Sequence, residues 1–136
     1  MNLHYDVKAD LLLEAGEASS NVKRNLKQLG ISADIIRRIA IAMYEAEINM
    51  VIHANGGTID VEILPDRVYI VLKDTGPGIE DIDKAMEEGF STANAKARQM
   101  GFGAGMGLPN IKKFSDDLKI TSELGVGTTV ELMILL

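Results

Sequence analysis

Alternating hydrophobic and polar positions predict a sheet of paired strands. Such runs begin near the N-terminus and recur on both sides of Pro65-Asp66, a turn dipeptide that predicts a hairpin. Two further runs, joined by Gly125-Val126-Gly127, predict a second hairpin at the end of the chain. The predicted strands are LHYDV (3–7), GTIDVEIL (57–64), RVYIVLKD (67–74), LKITSEL (118–124) and TTVELMILL (128–136).

Helical spacing of hydrophobic residues predicts the second layer. It runs from Leu11 to Leu29, where Gly30 provides a stop, and again over 32–55. The second helix is apolar on nearly every face and should be central. Shorter helices are predicted in IEDIDKAMEEG (79–89) and GMGLPNIKKFSDD (105–117). The order of elements predicts an α+β fold, a two-layer sandwich whose mixed, largely antiparallel sheet is covered by helices on one face.

Composition narrows the class of protein. The 136 residues fit one domain, 1–136, and 46% hydrophobic but only 4% aromatic residues predict an aliphatic core. The absence of cysteine excludes a disulfide scaffold and a thiol site. A net charge of −6 argues against nucleic-acid binding. No apolar run approaches the roughly 20 residues that span a membrane, and the N-terminus does not resemble a signal peptide, so we expect a cytoplasmic protein without membrane contact.

The central helix carries the first candidate site, in YEAEINMVIH. Glu45 and Asn49 are four residues apart and share one face, with Arg38 on the same strip. One interpretation is a solvated helix edge. The other is a metal and water site, with Asn49 as an oxygen ligand for Mg²⁺ and Glu45 as a base. Glu47 points away from this strip and is predicted to lie at the surface.

The second candidate site is DTGPGI, directly after an apolar strand. A carboxylate at Asp74 is costly there unless it has a partner. Gly76 and Gly78 permit close approach of the backbone to a ligand. The alternative is a simple turn between a strand and a helix.

The third and fourth candidate segments are rich in glycine. GFGAGMGLPNI (101–111) leads into a helix and offers backbone N–H groups to phosphate oxygens, although a flexible linker is the alternative. It lacks the Gly-Lys-Ser/Thr of a Walker A loop, and it does not follow a strand as a dinucleotide-binding loop does. GVGTTV (125–130) is explained by a hairpin turn alone.

Together, the four segments resemble the GHKL ATP-binding domain, the Bergerat fold of gyrase-type ATPases, Hsp90, histidine kinases and anti-sigma-factor kinases. EAEIN is similar to its N box, DTGPGI to its G1 box, GFGAGMGL to its G2 box and GVGTT to its G3 box. The resemblance extends over nearly the whole chain, from about residue 10.

The resemblance implies a role for each matching residue. Asp74 would accept a hydrogen bond from the exocyclic amine of adenine, Thr129 would help through water, and Glu45 would be the catalytic base. Asn49 would hold Mg²⁺, and residues 89–103 would form a lid over ATP. Lys96 and Arg98 in this lid are candidate phosphate ligands, but solvated lid charges are the favoured interpretation, so no phosphate-binding Lys or Arg is assigned. The implied nucleotide-binding residues are Asn49, Asp74, Gly76, Gly78, Ile79, Gly101, Gly103, Gly105, Met106, Gly107, Leu108 and Thr129.

Within the family, the sequence is most similar to the anti-sigma-factor and stressosome switch serine/threonine kinases. HANGGTIDVEI, EEGFST and the segment from Gly105 to Val130 carry this likeness. It implies an ATP-dependent protein kinase that phosphorylates a serine or threonine of a STAS-domain antagonist, with a phosphatase or a sigma factor as a further partner. Dimerisation stays open. The alternatives are a non-catalytic ATP-binding switch or anti-sigma module, a free-standing ATPase, and a structural domain without nucleotide.

Overall fold

A five-stranded antiparallel sheet forms one layer of the molecule. The computed structural model describes residues 1–8, 16–53, 56–76, 78 and 107–136. The strands lie in the order β1-β2-β3-β5-β4, and all four pairings between them are antiparallel. The strands are β1 Asn2–Lys8, β2 Gly56–Ile63, β3 Arg67–Asp74, β4 Asp117–Glu123 and β5 Gly127–Leu135.

Three helices within the described residues form the second layer, and the predicted α+β class is confirmed. In these ranges, no helix combines the length and the apolar character needed to cross a membrane. The helix predicted over 79–89 lies outside the described residues. The helices are α1 Glu17–Gln28, α2 Ala33–His53 and α3 Gly107–Phe114.

The core lies between one face of the sheet and α2, and it is aliphatic as predicted. Alternate side chains of β2 and β3 are buried, while their neighbours Asp60, Glu62 and Tyr69 are exposed on the other face. From α2, Ile39 and Met43 are fully buried against them. The buried residues of β2 and β3 are Ile59, Val61, Ile63, Val68, Ile70 and Leu72.

The hairpin of β2 and β3 determines where Asp74 lies. The turn at Pro65-Asp66 forms as predicted and is closed by the Leu64 N–H, which donates to the Arg67 carbonyl at 2.8 Å. From this turn the register runs back until Asp74 lies opposite Gly57. Because Asp74 follows the buried Leu72 by two positions, its side chain belongs to the helix-covered face.

Glu47 is buried, so the prediction of a surface position is wrong. Only 3% of Glu47 is exposed. One carboxylate oxygen accepts the N–H groups of Gly16 and Ala18, and the other accepts the N–H and the hydroxyl of Ser19. Helical periodicity correctly separates this side chain from the strip of Glu45, but it cannot show that the N-terminus of α1 meets α2 there. Glu47 thus caps α1 from a neighbouring helix.

Candidate active site

Asp74 is held by the backbone at the end of β3. Its Oδ1 accepts the N–H of Gly76 and the N–H of Thr128, both at 3.0 Å. Within the described part of the chain, no donor is hydrogen-bonded to Oδ2. Two fixed N–H groups therefore set the orientation of the carboxylate and leave one oxygen as an acceptor for a ligand.

Two glycines enclose the backbone of Asp74 from both neighbouring strands. A Cβ added to Gly57 of β2 would lie 2.1 Å from the Lys73 carbonyl oxygen and 2.8 Å from the Asp74 Cα. A Cβ added to Gly127 of β5 would lie 2.1 Å from the Asp74 carbonyl oxygen. The Cβ added to Gly57 would also lie 2.8 Å from Met50 Cε. Because Gly57 lies beside the end of β3, this end of the strand is close to the turn of α2 that carries Asn49.

Thr128, and not Thr129, lies beside Asp74, which corrects the residue predicted for this position. Thr129 pairs with Lys73, and the two share the face of the sheet opposite to the helices. Thr128 is 7% exposed on the helix-covered face, and its N–H is bonded to the Asp74 carboxylate. The Thr128 Oγ1 is 2.9 Å from the Ser122 hydroxyl, so a polar chain runs from Asp74 into β4.

Gly78 makes its close approach to the chain itself. Its φ is +83°, a conformation that favours glycine. A Cβ there would lie 2.7 Å from the Glu123 carbonyl oxygen and 3.1 Å from the Leu124 Cα. Gly78 therefore allows the segment after Asp74 to pack on the turn between β4 and β5.

Glu45 is partly buried on α2. Burial raises the pKa of the Glu45 carboxyl, and a hydrogen bond with the Asn110 side chain opposes that shift. Asn110 lies in the N-terminal half of α3. A carboxylate with a raised pKa is better matched to accept a proton near neutral pH than an exposed one.

Arg38, on the strip of Glu45, is paired at the other end of α3. Its Nη2 donates to the Asp116 Oδ1 at 3.2 Å, and Asp116 Oδ2 accepts the Leu135 N–H at 2.7 Å. Arg38, one end of the polar strip of α2, thus faces the residues that follow α3.

Asn49 occupies the turn after Glu45 and is partly buried. Among the described residues, its side chain makes no hydrogen bond. Its oxygen is therefore available to an external ligand. In the same ranges, no group of three or more His, Cys, Asp or Glu side chains could hold a metal ion.

The glycine-rich segment is described only from its end. Gly107 begins α3, and Leu108 packs against the core. The lid predicted over 89–103, with Lys96 and Arg98, lies outside the described residues. The same is true of Ile79, Gly101, Gly103, Gly105 and Met106.

Comparison with known proteins agrees with this geometry. The family model described as "Histidine kinase-, DNA gyrase B-, and HSP90-like ATPase" matches residues 34–136. The chain belongs to this family. The matched range begins in the first turn of α2 and includes every predicted site residue. The resemblance stated from the four boxes is therefore confirmed.

Curated relatives of this chain include a serine/threonine-protein kinase and anti-sigma F factors. The serine/threonine-protein kinase RsbT of Bacillus subtilis is 36% identical over 119 residues, which are 84% of this chain and 84% of the relative. The anti-sigma F factor of Caldanaerobacter subterraneus subsp. tengcongensis is 36% identical over 110 residues, 77% of this chain and 73% of the relative.

Solved structures with the same fold are more distant in sequence. A mycobacterial sensor histidine kinase, MprB, superposes with a TM-score of 0.56 at 17% identity, covering 99% of this chain and 97% of its own. The SiaB-SiaC complex from Pseudomonas aeruginosa gives 0.58 at 11% identity, covering 98% and 89%. At these identities the likeness establishes the fold of this family member.

Proposed function

We propose that this protein is an ATP-dependent serine/threonine protein kinase of a partner-switching system, which phosphorylates a STAS-domain antagonist. The observation that carries the proposal is the presence of two carboxylates in a chain 36% identical to a serine/threonine-protein kinase. Glu45 is a partly buried acid, and Asp74 has an oxygen that can accept a hydrogen bond from adenine. An ATP-binding module without catalysis has no need of an acid at Glu45. We also propose that the 136 residues form one ATP-binding domain.

ATP and Mg²⁺ fit the side chains that are present. Oδ2 of Asp74 can accept a hydrogen bond from the exocyclic amine of adenine, and Thr128 supplies a second polar group beside it. Asn49 is the residue that would hold Mg²⁺, with the phosphates supplying further oxygens. When bound, the ion neutralises charge on the phosphates.

The role of Glu45 follows from its chemistry. As the substrate hydroxyl oxygen bonds to the γ-phosphorus and the bond to the ADP oxygen breaks, the hydroxyl proton passes to the Glu45 carboxylate. Accepting that proton requires the ionised form, which burial makes more basic. Positioning of the two substrates supplies most of the remaining acceleration.

A transfer assay tests the proposal directly. The protein is incubated with Mg²⁺, ATP labelled at the γ-phosphate and purified STAS-domain antagonists from bacterial partner-switching systems, each beside a variant with its acceptor hydroxyl residue changed to alanine. We expect label on an unmodified antagonist and none on its variant. ATP binding without transfer to any antagonist would contradict the kinase assignment.

An anti-sigma module is the second candidate, because several relatives are anti-sigma F factors. Such a module would hold a sigma factor and need not transfer phosphate. Nucleotide-dependent co-elution with a sigma factor, unaffected by Glu45→Ala, would favour this function. Phosphoryl transfer that depends on Glu45 favours the kinase. Transfer together with sigma-factor binding would show that the protein is both a kinase and an anti-sigma factor.

Gly57→Ala is expected to weaken ATP binding by about tenfold or more, because the new methyl group would force the end of β3 and the Asp74 carboxylate to move. The neighbouring Thr58→Ala, on the opposite face of β2, is the matched control and should bind ATP normally. Titration of both variants with a fluorescent ATP analogue measures the difference. Normal affinity in folded Gly57→Ala would show that the position of Asp74 does not matter.

A further inference from the structure

A short chain of hydrogen bonds connects the Asp74 carboxylate to strand β4. Ser122 of β4 is paired with Thr128 of β5, and both side chains lie on the helix-covered face of the sheet. Their hydroxyl oxygens are 2.9 Å apart. The Ser122 hydroxyl also donates to the Gly127 carbonyl oxygen at 3.3 Å, and the Thr128 N–H donates to Asp74 Oδ1 at 3.0 Å. Ser122 is therefore connected to the proposed adenine acceptor through a single residue.

The chemistry of these groups determines where the two hydroxyl protons lie. A carbonyl oxygen can only accept, so the contact with Gly127 uses the single hydroxyl proton of Ser122. The bond between the two hydroxyls then uses the proton of Thr128, which donates to Ser122 Oγ. Because β4 and β3 lie on opposite sides of β5, this proton points away from Asp74. Thr128 Oγ1 therefore has only lone pairs left for a ligand beside Asp74.

We infer that Ser122 is a positioning residue that determines purine specificity, because it turns the Thr128 hydroxyl proton away from the ligand and leaves acceptors alone beside Asp74. This inference rests on the ATP site of the proposed function. The two acceptors, Asp74 Oδ2 and Thr128 Oγ1, match the exocyclic amine of adenine, which donates. Hypoxanthine and guanine carry a carbonyl oxygen at the same position, and an acceptor facing acceptors is rejected.

The orientation of the Thr128 hydroxyl depends on Ser122 because a hydroxyl proton turns about its C–O bond to suit its partners. Without the Ser122 oxygen, this proton could turn toward the ligand and donate to a carbonyl oxygen of the base. Water competes poorly for the existing bond, since Thr128 is only 7% exposed. The neighbouring Thr121 of β4 is exposed on the other face of the sheet, so its hydroxyl cannot replace that of Ser122.

Ser122→Ala tests the inference through the ratio of the dissociation constants for ITP and ATP, measured by calorimetric titration in the presence of Mg²⁺. ITP carries a carbonyl oxygen where ATP carries the amine, and it lacks the additional amine of GTP. We expect the wild type to bind ATP about 100-fold more tightly than ITP or better. In Ser122→Ala the ratio should fall by about tenfold, mainly through tighter binding of ITP. Ser122→Thr keeps the hydroxyl and should retain the wild-type ratio.

Thr121→Ala, an exposed change on the same strand, is the matched control and should keep the wild-type ratio. A substitution that only loosens the fold weakens binding of both nucleotides together, so the ratio separates specificity from stability. An unchanged ratio in folded Ser122→Ala, or a wild type that binds ATP and ITP alike, would overturn the role of Ser122 alone. Absence of ATP binding by the folded wild type would instead overturn the proposed function and this inference with it.

Discussion

Glu45→Ala is expected to reduce phosphoryl transfer by about 10²- to 10⁴-fold while leaving Mg·ATP binding close to that of the wild type. The side chain lies on α2, at the contact with α3, whereas the acceptor for adenine is Asp74 at the end of β3. Removing the acid takes away the proton acceptor and leaves the nucleotide pocket in place. Single-turnover transfer and ATP titration on the same preparation measure the two effects separately.

The pH profile adds a second expectation for Glu45. Burial raises the pKa of this carboxyl above its ordinary value, and transfer requires the ionised form. Activity should therefore decline as the pH falls, beginning closer to neutrality than for an exposed carboxylate. Glu62→Ala, an exposed acid on β2, is the control and should leave rate and profile unchanged. Equal loss of ATP binding and transfer in Glu45→Ala would indicate a structural carboxylate and not a base.

Glu47→Ala is expected to lower the free energy of unfolding by about 2–4 kcal/mol, although the residue is only two positions from the proposed base. Its carboxylate accepts three backbone N–H groups at the start of α1 and the Ser19 hydroxyl, at distances of 2.7–3.3 Å. Alanine would leave these donors without a partner in a buried setting. For a chain of this length, the midpoint of thermal unfolding should fall by roughly 8 °C or more.

Two further variants separate the cap from a general loss of charge. Glu17→Ala removes an exposed acid from the first turn of α1 and should cost about 1 kcal/mol or less. Glu47→Gln retains one carbonyl oxygen but turns an amide toward the backbone donors, so its loss should be intermediate. A thermal midpoint of Glu47→Ala within about 2 °C of wild type would contradict the cap. Chemical denaturation should then also show little change in the free energy of unfolding.

The strands and the long helix were predictable because their patterns are local. Alternation over 57–64 and 67–74, separated by Pro65-Asp66, defines a hairpin whatever the rest of the chain does. The position of Glu47 was not predictable in the same way. Helical spacing directs it away from Glu45, but burial depends on which element covers that face, and the pairing with α1 is a contact between distant parts of the chain.

The same distinction applies to the candidate site. Asp74, Glu45 and Asn49 were found from chemistry that is costly or unusual in its local setting. Choosing between Thr128 and Thr129 required the register of β5 on β3, because one position reverses the face of the sheet.

All of the assigned roles depend on ATP bound at Asp74, and thermal unfolding with and without Mg·ATP tests this most directly. Asp74→Asn is the decisive variant, because its carbonyl oxygen can still accept the N–H groups of Gly76 and Thr128 while its amide no longer accepts the adenine amine. Ligand at about 100-fold over its dissociation constant adds about 2.7 kcal/mol. We expect a rise of several degrees in the wild type and none in folded Asp74→Asn. An equal rise in both proteins, or none in the wild type at millimolar Mg·ATP, would contradict an ATP site at Asp74.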